Sequence, residues 1–285
     1  MKISLFILAH DRPLILNKCL ESLTKNQIPK EIFILKDKTT KEVDIVIEEF
    51  ESKFNSLINK IIIEENPRIK NNIFYSIYER INNSDIDYVG FIESDYVFRN
   101  DYLEDILNVF NNNKNTLSIA GYNHPDTYDN NKNLIEFPKI CEAFFKKDIC
   151  NRQFLYKKFD QIINNIRYTL QGISNHCGCH FLNIKIFNEV FKNKLFYLFL
   201  DFITQPSISG LCDGRLSAIY CSMWENWAEI NEIETDKNFA ILDICDYSIA
   251  NHYGCGGISV TCGVDGQTLD WISSPTWRGE DFKRV

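Results

Sequence analysis

Glu93, Ser94 and Asp95 stand where an apolar run, Tyr88 to Ile92, comes to its end. Two carboxylates one residue apart suit a hard divalent cation, and Mg²⁺ or Mn²⁺ held by oxygen ligands in turn suits phosphate oxygens. The spelling alone carries little, because Glu42-Val43-Asp44, Asp85-Ile86-Asp87 and Glu234-Thr235-Asp236 repeat the acidic-x-acidic pattern. Position separates the triplet from these. It follows a short buried strand and precedes a helix start at Asn100-Asp101. In an open α/β sheet, ligands bind beyond the carboxyl ends of the strands.

Three more loops in the first half carry chemistry. His10, Asp11 and Arg12 follow the first apolar run, with Asp11 placed to cap a helix that has Pro13 in its first turn. Asp37 follows the second run, placed to accept from the imide N–H of a base such as uracil or to hold a ribose. Pro67 to Asn72 brings Arg68 and Lys70, two cations for a pyrophosphate. As a loop carboxylate, Asp95 is expected outside the core. Later in the chain His176, Cys177, Cys179 and His180 crowd together. Structural zinc sites separate two ligand pairs by a longer loop, and a strand sends alternate side chains to opposite faces. These residues therefore read as buried thiols and a hydrogen-bonded histidine.

The elements that must position these loops follow from periodicity. Ile3 to Ala9 is a continuous apolar run, the pattern of a central parallel strand covered on both faces. Leu16, Cys19, Leu20 and Leu23 then form a helical stripe. Glu31 to Leu35 predicts a second strand, with Val43, Val46, Ile47, Phe50 and Phe54 a second helix. Lys60 to Ile63 is the third strand, and Ile73, Ile77 and Ile81 mark a third stripe. Leu103, Ile106, Leu107 and Phe110 follow the acidic turn as a helix, before a fifth strand at Leu117 to Ala120. Strands alternating with helices predict a doubly wound, mainly parallel sheet.

Composition narrows the classes. The chain has 285 residues, a formal net charge of −8 and no Lys/Arg block, which excludes a nucleic-acid or polybasic membrane footprint. The apolar opening stops at His10-Asp11-Arg12, too short for a signal peptide or a membrane span. A cytoplasmic chain is therefore expected, with its ten cysteines mostly reduced.

Ile3 to Pro13, followed by Leu20-Glu21-Ser22-Leu23, resembles the opening of nucleotide-sugar-dependent glycosyltransferases of the GT-A fold, especially glycosyltransferase family 2. An acidic residue after the second strand, an Arg/Asn-bearing loop before the third helix and an acidic motif after the fourth strand recur there in that order. Glu93-Ser94-Asp95 with Tyr102-Leu103 also resembles the Glu-Asp-Asp region of N-acetylglucosaminyltransferase I. The likeness covers roughly residues 1–125. It implies Asp95 as direct metal ligand, Glu93 supporting it, Asp37 at the base and Arg68 at the nucleotide. Ala9, Asp11, Arg12, Lys70, Asn72 and Ser94 complete the nucleotide side. Lys36, Ser94 and Cys212 occupy positions where the family is usually acidic.

In the second half, Gly178 to Phe187 resembles the strand by which the family returns a small residue to the donor sugar. Inverting members of the fold carry an acidic residue at a helix start that takes the proton from the acceptor hydroxyl. Asp213, just before the stripe Leu216, Ile219, Tyr220, Met223 and Trp227, fits that place. Glu225, between Trp224 and Trp227, is its rival: spacing to the next landmark favours Glu225, helix-start position favours Asp213. That landmark is Asn251-His252-Tyr253-Gly254, where the likeness implies His252 beside the metal.

The resulting expectation is an α/β protein of the GT-A, Rossmann-like kind, with helices on both faces of the sheet and an acceptor-side elaboration. Residues 1–125 form the nucleotide-sugar half and 126–285 the acceptor and catalytic half of one domain. The expected activity is that of an inverting hexosyltransferase, with Mn²⁺ or Mg²⁺, a nucleotide-diphosphate sugar (UDP-sugar favoured) and a glycan, lipid-linked or protein acceptor. Two alternatives stand beside it. A sugar-phosphate nucleotidyltransferase would show a Gly-rich, basic loop after the first strand, which His10-Asp11-Arg12-Pro13 is not. A non-catalytic GT-A-like binding module is supported by Lys36, Ser94 and Cys212.

Overall fold

Ile3–Ala9 forms strand β1, and all of its residues except Leu8 are buried, as an unbroken apolar run between two covered faces requires. The structure, a computed structural model, describes residues 2–25, 28–36, 39–58, 61–65, 85–120, 159–163, 166–171, 179–190, 224, 227–233, 241–244 and 250–252. Helix α1 (Pro13–Thr24) comes next, burying Leu16, Cys19, Leu20 and Leu23 on its inner stripe. Strand β2 (Glu31–Lys36) and helix α2 (Lys41–Phe54) repeat the unit. Thr40 caps α2 by accepting from the Val43 amide at 3.4 Å, and Glu42 and Asp44 suit the positive end of its dipole. Val43, Ile47 and Phe50 are buried, with Val46 and Phe54 packed at the margin.

Strands β3 (Ile61–Glu65) and β4 (Tyr88–Glu93) complete a parallel block in the order β3-β2-β1-β4. A two-residue turn then leads to strand β5 (Tyr96–Phe98) and helix α3 (Tyr102–Asn112). Strand β6 (Ser118–Ala120) does not pair with β4. Strand β9 (Cys179–Asn183) lies between them, antiparallel to both, and leads into helix α4 (Ile184–Val190). Strands β7 (Phe159–Ile163), β8 (Ile166–Gln171) and β10 (Ile241–Ile244) extend the far side to nine strands among the described residues, ordered β3-β2-β1-β4-β9-β6-β10-β8-β7. The parallel block therefore belongs to the first half, and β9, from the second, borders it along β4. A short strand β11 (Ala250–His252) pairs with β5 as a separate two-stranded sheet.

A row of rings crosses the sheet perpendicular to the strands. Phe33 stacks on Phe6 at 4.4 Å, Phe6 on Phe91 at 5.9 Å, and Phe91 on His180 at 4.8 Å. Strand register places each ring directly opposite the next. On the neighbouring residues Ile7, Ile34 and Ile92 join the main core with α1 and α2, so the two faces alternate as a pleat demands. Gly90 is set by the same packing. A β-carbon there would lie 2.7 Å from Leu5 Cδ2 and 2.7 Å from the Phe181 ring, so β4 can sit against its neighbours only with glycine.

Cys179 is buried, as expected of a buried thiol, and His180 is buried with its ring stacked on Phe91. Cys19 is a buried free thiol, pushed up by burial and, behind it, by the nearby Asp95 charge. Ile73, Ile77, Ile81, His176 and Cys177 lie outside the described residues.

Candidate functional site

Parallel register brings the ends of the first four strands level. Ala9 is opposite Lys36, Lys36 opposite Glu65, and Leu8 opposite Glu93, so the loops beyond them leave from one edge. Among the residues expected at that edge, Asp37, Arg68, Lys70 and Asn72 lie outside the described residues, as do Asp213 and Glu225. Ala9, His10, Asp11, Arg12, Glu93, Ser94 and Asp95 are described, and they meet at the junction of β1, α1 and β4.

The turn itself differs from expectation. Asp95 is buried, at 4% exposure, instead of standing outside the core. Its partner is Arg12: Nη2 donates to Asp95 Oδ2 at 2.8 Å, a contact between residues 83 apart in sequence. A desolvated carboxylate needs such a partner, and a guanidinium is the side chain best suited to supply it. Arg12 is also the N-cap of α1, in place of the predicted Asp11, and its side chain makes no capping hydrogen bond. Asp11 is exposed beside His10, with Oδ2 3.8 Å from Nε2. Pro13 explains how α1 starts without a side-chain cap, since its ring presets the first helical φ and removes one amide that would need a partner.

Helix α1 is also the platform for the segment beyond the turn. The Phe98 amide of β5 donates to Ser22 Oγ at 2.9 Å, and Tyr102 Oη donates to the Leu23 carbonyl at 3.1 Å. Arg99, directly after β5, is buried against Asp105 in the first turn of α3, and its Nε lies 3.4 Å from Asp101 Oδ1. Both ends of the acidic segment are thus fastened, at Arg12 and at Arg99. On the open side of β5, β11 runs antiparallel with His252 opposite Tyr96. The backbone of the late histidine is therefore next to the acidic turn, although 157 positions separate it from Asp95 in the sequence.

Lys36, at a family-acidic position, is turned toward α2. Its Nζ is 3.0 Å from Asp44 Oδ1, which also accepts from Thr39 Oγ1 at 2.6 Å. The Thr39 hydrogen bond first, and Lys36 second, hold the Asp44 carboxyl below its ordinary range. Trp224 is fully buried and donates from Nε1 to the Asn115 carbonyl at 2.8 Å, so the indole beside Glu225 is core.

A divalent cation is implied by the family likeness of the sequence, and the donors fit one. Glu93 and Asp95 offer hard oxygens at the end of β4, and Asp95 Oδ2 already lies against the positive charge of the Arg12 guanidinium. Among the described residues no cluster of three His, Cys, Asp or Glu side chains is assembled. No helix among them is long and apolar enough to cross a membrane. The Arg12–Asp95 and Arg99–Asp105 pairs were not legible in the sequence, where only the residue types were visible.

A family model described as Glycosyl transferase family 2 matches residues 4–191. Among solved structures the chain is similar to S. aureus TarS 1–349 in complex with UDP, at 12% identity and a TM-score of 0.49, covering 88% of this chain and 60% of that one. It is similar to the mannosyltransferase PcManGT from Pyrobaculum calidifontis in complex with GDP-Man and Mn²⁺, at 8% identity and 0.46, covering 86% and 57%. It is also similar to M. tuberculosis glucosyl-3-phosphoglycerate synthase, at 11% identity and 0.44, covering 86% and 71%. The chain thus spans less than two thirds of the first two. No curated protein matches it.

Proposed function

The chain belongs to glycosyl transferase family 2, whose GT-A arrangement its sheet has, and on that premise we propose that it moves a sugar from a nucleotide-diphosphate sugar to an acceptor hydroxyl. A UDP-sugar is the favoured donor, transfer goes with inversion, and Mn²⁺ or Mg²⁺ assists. The observation that carries the proposal is the acidic turn Glu93-Ser94-Asp95 at the end of β4, braced by Arg12 and flanked by the strand of His252.

A bound cation would supply positive charge to the leaving diphosphate, the largest electrostatic demand of the transfer. Glu93, Asp95 and His252 are the residues that would hold it. The chain's own work is then positional and acid–base. Asp37 meets the base, and Arg68 and Lys70 meet the pyrophosphate, with Asn72, Ser94, Ala9 and Asp11 around it. Asp213 accepts the proton of the acceptor hydroxyl as its oxygen attacks the anomeric carbon and the nucleoside diphosphate leaves from the opposite side. Glu225 is the alternative base. The acceptor is a glycan, a lipid-linked group or a protein. We place the nucleotide-sugar half at residues 1–125, the acceptor half at 126–285, and the activity in the cytoplasm.

Titration calorimetry with UDP, with and without Mn²⁺, tests the reading on the intact chain, followed by a panel of nucleotide sugars assayed for transfer or hydrolysis. Asp95→Asn should abolish the Mn²⁺ dependence of UDP affinity. A wild-type chain that binds UDP with no metal dependence and hydrolyses no nucleotide sugar would favour the binding-module alternative, to which the engagement of Lys36 by Asp44 also lends support.

A further inference from the structure

We infer that Arg12 couples metal loading to nucleotide loading, by holding Asp95 until a diphosphate offers its guanidinium a second anionic partner. The inference rests on the glycosyl-transfer function proposed for the chain. Its ground is an asymmetry in how Arg12 is used. Nη2 donates to Asp95 Oδ2 at 2.8 Å, while among the described residues the buried Nη1 finds no hydrogen-bond partner. A guanidinium is a planar fork that matches the paired oxygens of a carboxylate or a phosphate. Here one prong is filled and the other is desolvated without an acceptor, a state that costs free energy until an oxygen arrives.

The surroundings indicate an anionic oxygen. Arg12 is the N-cap of the twelve-residue helix α1 and its side chain makes no capping hydrogen bond, so the residue that carries the empty prong stands at the positive end of the helix dipole. Asp95 is the only anion that the structure pairs with Arg12 among the described residues. The Arg12 and Asp95 side chains are 17% and 6% exposed, so the pair is poorly screened and its charges act strongly on each other and on a newcomer.

A divalent cation arriving alone at Asp95 therefore meets a guanidinium already on the carboxylate, and the two positive charges oppose each other. A nucleoside diphosphate changes the balance. Its phosphate oxygens fill the empty prong, draw the guanidinium toward themselves and release Asp95 Oδ2 to the metal. Metal and nucleotide then bind with positive coupling, and by linkage each must strengthen the other by the same factor. Arg12 acts as a positioning residue that sets the order in which charges assemble.

The test uses the intact chain with Mn²⁺ and UDP as probes. Mn²⁺ binding without nucleotide is followed by electron paramagnetic resonance, and UDP affinity by calorimetry with and without saturating Mn²⁺. In the wild-type chain Mn²⁺ should tighten UDP binding by about tenfold or more. Arg12→Met should bind Mn²⁺ alone about tenfold more tightly than wild type, with the coupling reduced toward unity. Arg12→Lys keeps the charge without the fork, so it should leave Mn²⁺ binding weak in the absence of UDP. Arg12→Gln, which retains a donor to Asp95, should behave as Arg12→Met and serves if the methionine variant does not fold. An Arg12→Met or Arg12→Gln chain with wild-type Mn²⁺ affinity and undiminished coupling overturns the inference and leaves the proposed function standing. A wild-type chain that binds neither probe overturns that function, and the inference with it.

Discussion

The buried pair Arg99–Asp105 fastens the corner that aims the acidic turn, and its removal has a measurable cost. Both side chains are 2% exposed, and Arg99 lies directly after β5, with Asp105 in the first turn of α3. Asp105→Ala deletes the carboxylate against the buried guanidinium, while Asp101, at 3.4 Å, has a side chain that is 37% exposed. Breaking one side of a desolvated pair costs about 3–5 kcal/mol, because the surviving charge stays buried. That is about a fifth or more of a typical folding free energy of about 5–15 kcal/mol. With a urea m-value of about 3 kcal/mol/M, the midpoint should fall by about 1–1.7 M. The double replacement Arg99→Met with Asp105→Leu removes both charges and fills similar volume, so it should recover most of the loss or exceed wild type. Urea melts of the wild type, the two single variants and the double variant give the interaction energy directly. If Asp105→Ala keeps its midpoint within about 0.2 M of wild type, the pair is not a desolvated clamp.

Gly90→Ala should cost about 1–3 kcal/mol, since the new methyl would meet Leu5 and the Phe181 ring at 2.7 Å; an unchanged melting temperature would refute this. Glu232→Gly should raise stability by about 0.5–1 kcal/mol, read as a higher urea midpoint. Glu232 has φ 54° where residues 227–230 end as a helix, with Ile233 N donating to the Ala228 carbonyl at 2.9 Å, the place where glycine is preferred. At the chemistry, Asp213→Asn should keep UDP and Mn²⁺ affinity yet slow single-turnover transfer by about 10²–10⁴-fold, with a smaller loss in Glu225→Gln. A dead Glu225→Gln beside an active Asp213→Asn would reassign the base.

Local pattern determined most of the first half. Ile3–Ala9 is a strand over the residues the apolar run marks, because burial on both faces leaves its signature in consecutive residues. The stripes of α1, α2 and α3 are legible for the same reason, their spacing matching the helical repeat. The acidic turn after β4 was visible from its place at a strand end. What the sequence could not express is which distant groups share a desolvated space. Asp11 looked fit to cap α1, and the N-cap position went to Arg12, which also pairs with a carboxylate 83 residues away. Asp95 read as a loop carboxylate outside the core and is buried; Trp224 stood beside a candidate base and is core, bonded to a carbonyl 109 residues back. Strand β9 slipped between β4 and β6 because sheet pairing is decided between strands and not within one. Periodicity reports how each segment meets water, and it is the same at every register of the partners. Only the assembled sheet fixes which charge is left out of water and which opposite charge must join it there.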